Sequence, residues 1–99
     1  MTLGYKLFGR PGNLEEFVNE VKKQGIREVE LSWTFTKIDS YFFMGSDHFE
    51  VSDKSHRINY RKSEFYGLSS PLAEREFNLM RNYLTDKGLD VRASGPKLI

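Results

Sequence analysis

At 99 residues the chain has room for one hydrophobic core, and it reads as a single domain spanning 1–99. Fifteen Lys and Arg against fourteen Asp and Glu leave the balance near zero, which gives no general pull toward nucleic-acid phosphates or an anionic membrane surface. Cysteine does not occur, which excludes disulfide scaffolds, thiol catalysis and Cys-based zinc sites. No apolar run reaches the roughly 18 residues of a membrane span. The start, Met1 to Lys6, lacks the charged lead and apolar stretch of a signal peptide. The expected location is cytoplasmic, with no membrane partner.

In chain order, Leu3 to Phe8 predicts a short strand, and Gly9-Arg10-Pro11-Gly12 breaks it. Asn13 has the chemistry of an N-cap, with Glu15 and Glu16 in the first turn, where the helix dipole favours acids. Leu14, Phe17, Val18 and Val21 recur at helical spacing, and Gly25 supplies a left-handed C-cap, so a helix is expected over roughly 14–24. From Arg27 the period becomes two. Val29, Leu31, Trp33 and Phe35 alternate with polar residues, as in a strand with one dry and one wet face. Lys37-Ile38-Asp39 is expected to turn. Tyr41 to Met44 then starts a strand that Gly45-Ser46 interrupts or bulges.

Residues 47–62 predict a hairpin. A two-residue turn at Lys54-Ser55 sets Val51 opposite Ile58 and Phe49 opposite Tyr60, with Glu50 opposite Asn59 and His48 opposite Arg61 on the other face. Ser70 as N-cap and Pro71 at the first helical position open a second helix, whose stripe is Ala73, Phe77, Met80 and Leu84. Lys87 and Gly88 close it, Leu89, Val91 and Ala93 alternate in a last strand, and 94–99 is expected to be a tail. The order β-α-β-β-β-α-β is an α+β class: two helices on one face of an antiparallel-rich sheet. It resembles a ferredoxin-like arrangement with an extra strand or an extended central hairpin, a fold that hosts many unrelated functions.

Four segments carry candidate chemistry. Gly9-Arg10-Pro11-Gly12 precedes a helix N-terminus, but Glu15 and Glu16 sit where an anion would, so it reads as a tight loop. Asp47, His48, Asp53 and His56 are the raw material of acid–base or metal chemistry, yet strand parity separates the two histidines. No catalytic residue, metal or cofactor is therefore expected, and His48 and His56 stay as candidates for the pocket of a small-ligand binder or small enzyme, the second alternative. Arg57, Asn59 and Arg61 share a strand face near Tyr60, a combination that modules for single-stranded RNA use. The neighbouring Lys62-Ser63-Glu64-Phe65-Tyr66-Gly67 does not match an RNA-recognition motif. Trp33, Phe35 and Tyr41 to Phe43 crowd one turn. Parity cannot send all of them inward, so Trp33, Tyr41, Phe42 and Met44 form the candidate interface. The reading favoured by this aromatic excess is a small non-catalytic binding or accessory domain that acts through a protein–protein surface. Its partner is another protein or a second copy meeting it by a sheet face or edge, and nucleic acid is the first alternative.

Overall fold

The computed structural model describes residues 11–37, 45–53, 58–64 and 71–98. The elements are α1 (Leu14–Lys23), β1 (Glu28–Lys37), β2 (Gly45–Ser52), β3 (Asn59–Glu64), α2 (Pro71–Asp86) and β4 (Asp90–Leu98). The expected strand over residues 3–8, the aromatics 41–44, the Lys54-Ser55 turn and the Ser70 cap lie outside the described residues.

Both helices are defined by their ends. The backbone N–H of Glu16 donates to Oδ1 of Asn13 at 2.8 Å, and Glu16 Oε2 accepts from the N–H of Gly12 at 2.7 Å. One N–H that the first turn leaves without a helical partner is thereby satisfied, and the Glu16 side chain ties down the residue before the cap. At the other end, Gly25 N donates to Lys22 O and Ile26 N to Val21 O, with Gly25 at φ 76°. The end of α2 repeats this pattern through Gly88 and Leu89. In each case a glycine takes the left-handed position and the next residue, Ile26 or Leu89, folds back on the helix as an apolar plug.

The strands lie in the order β3-β2-β1-β4. β1, β2 and β3 pair antiparallel as a meander, and β4 pairs parallel to β1. α2 therefore carries the chain from one edge of the sheet to the other. In the ferredoxin-like arrangement the strands of two β-α-β units alternate across the sheet. Here the short connections keep consecutive strands adjacent, and the order differs from that arrangement.

The predicted parity holds along β1 and β2. Val29, Leu31, Phe49 and Val51 are essentially solvent-free and join Phe17, Val18 and Val21 of α1 with Ala73, Phe77, Met80 and Leu84 of α2 in one cluster. Both helices thus cover the same face. Trp33 is half-buried beside this cluster, with its ring 5.2 Å from Phe77 and 5.7 Å from Phe49.

Two expectations change. The hairpin register is displaced by two residues: Val51 pairs with Tyr60, Glu50 with Arg61 and His48 with Ser63. A shift of two preserves every face, so hydrophobic sorting cannot distinguish the two registers. The loop chemistry does. Asp53 and Ile58 close the hairpin, with Asp53 N–H donating to Ile58 O at 3.3 Å and Ile58 N–H donating to Asp53 Oδ1 at 2.9 Å. The expected tail at 94–99 is instead strand as far as Leu98. β1 advances two residues, Ser32 to Thr34, while β4 advances three, Ser94 to Lys97. Gly95, at φ 111°, and Pro96 take up the difference as a bulge, a place where an edge strand tolerates proline.

Candidate binding face of the sheet

The face opposite the helices is formed by the alternate residues of each strand. No described element packs on it. β1 contributes Glu30, Ser32, Thr34 and Thr36, β2 contributes Ser46, His48, Glu50 and Ser52, and β3 contributes Asn59, Arg61 and Ser63. These side chains alternate with the core residues, so the pattern that fills the core also fixes this surface. Most of the β1 and β2 members are half-buried, because neighbouring strands shield a flat sheet from either side.

The face is held by cross-strand polar contacts. Arg61 Nε donates to Glu50 Oε2 at 3.0 Å, and Asn59 Nδ2 reaches the same oxygen at 3.4 Å. One ring to the side, His48 Nδ1 and Ser63 Oγ share a hydrogen bond of 2.8 Å. Ser32 Oγ lies 3.5 Å from the Glu50 carbonyl. Together with Thr34 and Thr36 these groups border a shallow groove of about 370 Å³. The groove is hydroxyl-rich, and its one cation, Arg61, and one carboxylate, Glu50, are paired with each other.

The structure separates several residues that the sequence groups together. Asn59 and Arg61 share the open face, but Tyr60 turns to the helix side and packs against the core. Trp33 also turns to that side, and Tyr41, Phe42, Met44, His56 and Arg57 lie outside the described residues. His48 is on the open face, in the groove, where it hydrogen-bonds a serine rather than a carboxylate. Lys62 points to the helix side and forms an ion pair with Glu76 of α2, tying the β3 edge to that helix.

Asp47, grouped by the sequence with the histidines, takes a different place in three dimensions. It is 2% exposed on the helix side of β2. Its Oδ1 accepts the Trp33 Nε1–H at 2.8 Å, and its Oδ2 has no hydrogen-bond partner. A carboxylate oxygen left so is costly in a dry environment, which makes the Trp33 bond important to the position. Parity alone signals it: Asp47 is in phase with Phe49 and Val51. Among the described residues no group of three metal-ligating side chains is assembled, and no helix is long and apolar enough to cross a membrane.

No protein-family model matches this chain, and neither a curated protein nor a solved structure matches it.

Proposed function

We propose that the chain is a small non-catalytic binding domain that recognises a protein partner through the open face of its sheet. The observation that carries this reading is the distribution of the described sheet aromatics. Trp33, Phe35, Phe49 and Tyr60 all turn to the helix side, which leaves the open face to hydroxyls and charged side chains, with Glu50 paired to Arg61 and Glu28 to Arg92. Base recognition on a sheet relies on exposed aromatic platforms and free cations. A polar, half-buried surface is instead suited to a hydrogen-bonded, water-bridged protein contact. The groove beside His48 favours a second reading, a small polar ligand, over the nucleic-acid one.

The test compares partner capture by the unaltered chain with capture by Thr34→Arg and Ser63→Arg on the open face and by Leu79→Lys on the exposed side of α2. The expected result is a discrete protein retained by the unaltered chain and by Leu79→Lys and lost by both face variants. Equal loss with Leu79→Lys, or equal retention by the face variants, contradicts the proposal. A labelled oligonucleotide bound at low salt and released by Arg61→Glu would replace it with the nucleic-acid reading.

A further inference from the structure

β4 forms one edge of the sheet, and among the described residues it has a strand neighbour on one side only. Its two halves differ. The second half carries the usual guards against edge pairing, namely a bulge at Gly95, Pro96 and Lys97. The first half, Asp90 to Ser94, is regular and bears none of these.

The direction of its free backbone groups follows from one hydrogen bond. Asp90 N–H donates to Arg27 O at 2.8 Å, toward β1. Backbone groups alternate along a strand, so those of Arg92 also face β1 while those of Val91 and Ala93 face outward. Side chains alternate as well. Asp90 and Arg92 lie on the open face beside their register partners Glu28 and Glu30, and Val91 lies on the helix side beside Val29.

We propose that the start of this half-strand, Asp90 to Arg92, pairs antiparallel with the same segment of a second copy, centred on Val91, and joins the two four-stranded sheets of the described residues into one. A two-fold axis perpendicular to the sheet at Val91 sets Asp90 opposite Arg92 of the other copy, twice, and brings the two Val91 side chains together on the helix side. Neighbouring centres do worse. An axis at Asp90 opposes two aspartates, one at Arg92 opposes two arginines, and one at Ala93 sets Asp90 against Pro96. The Val91 register alone among these four matches opposite charges, and it uses the outward-facing N–H and C=O groups of Val91. Arg92 already has Glu28 at 3.2 Å in its own chain, and a guanidinium has donors enough to serve both carboxylates. The contact uses an edge of the sheet and not its open face, so it stands independently of the reading above.

The experiment is sedimentation velocity on the full chain over a concentration series reaching about 1 mM, since so short a strand pair is a small interface. Asp90→Arg and Arg92→Asp are compared with the double reversal Asp90→Arg/Arg92→Asp. All four positions in the pair are solvent-exposed, and unchanged circular dichroism checks that each variant folds. The expected result is concentration-dependent dimerisation that each single reversal weakens by about tenfold or more, through two like-charge oppositions, and that the double reversal restores. A monomer throughout the series overturns the proposal. So does a dimer indifferent to the single reversals, or one that the double reversal fails to restore.

Discussion

Replacing Trp33 by Phe removes the one described donor to Asp47 while keeping an aromatic ring in place. The loss has two parts. The Nε1–H···Oδ1 bond of 2.8 Å ends on a side chain only 2% exposed, and breaking it leaves both carboxyl oxygens without a described partner. Such a bond contributes about 1–3 kcal/mol. The smaller ring also gives up part of its contacts with Phe49 and Phe77, about 1 kcal/mol more. In an Asp47→Ala background only the second part remains. Urea unfolding of the four proteins, followed by circular dichroism because Trp33 is the sole tryptophan, measures both terms. A coupling of about 1–3 kcal/mol is expected. If Trp33→Phe costs the same in both backgrounds, within about 0.5 kcal/mol, the bond does not hold the pair and the reasoning fails.

The hairpin register is open to a covalent test, since the chain has no cysteine of its own. Glu50→Cys/Arg61→Cys should oxidise readily to an intrachain disulfide, because these residues face each other in a pair that does not exchange backbone hydrogen bonds. Glu50→Cys/Asn59→Cys, the pair that a two-residue turn would bring together, should not; mass spectrometry under non-reducing conditions distinguishes them. Gly95→Ala should destabilise the fold by about 1–3 kcal/mol and accelerate amide exchange in 94–98, because φ is 111° and an added Cβ would lie 2.2 Å from the Trp33 carbonyl oxygen. An unchanged melting temperature would mean that β4 abandons the bulge at no cost.

The helices are legible in the sequence because several signals coincide on each. Asn13 and Gly25 bracket one apolar stripe, and Pro71 and Gly88 bracket the other. Strand parity is equally legible: Val29, Leu31, Phe49 and Val51 are buried as their spacing requires. What parity cannot carry is register, since Val51 meets an apolar partner whether it faces Ile58 or Tyr60. Strand order is also beyond it, because the placement of β4 beside β1 depends on how α2 crosses the sheet. The continuation of β4 past Ser94 was hidden by Gly95 and Pro96, which punctuate most strands and here build a bulge. On the candidate surface, the alternation places His48, Glu50 and Arg61 on the wet side, but which of them touch is set by register, and so Arg61 meets Glu50 where His48 was expected.

The open face is tested most directly by a photo-crosslinking amino acid placed at Thr34, at its centre, and separately at Leu79, on the exposed side of α2, in the native cell. The account predicts a discrete protein adduct from position 34 that Ser63→Arg abolishes, with no such adduct from position 79. A bare position 34, or the same adduct from both positions, would contradict it.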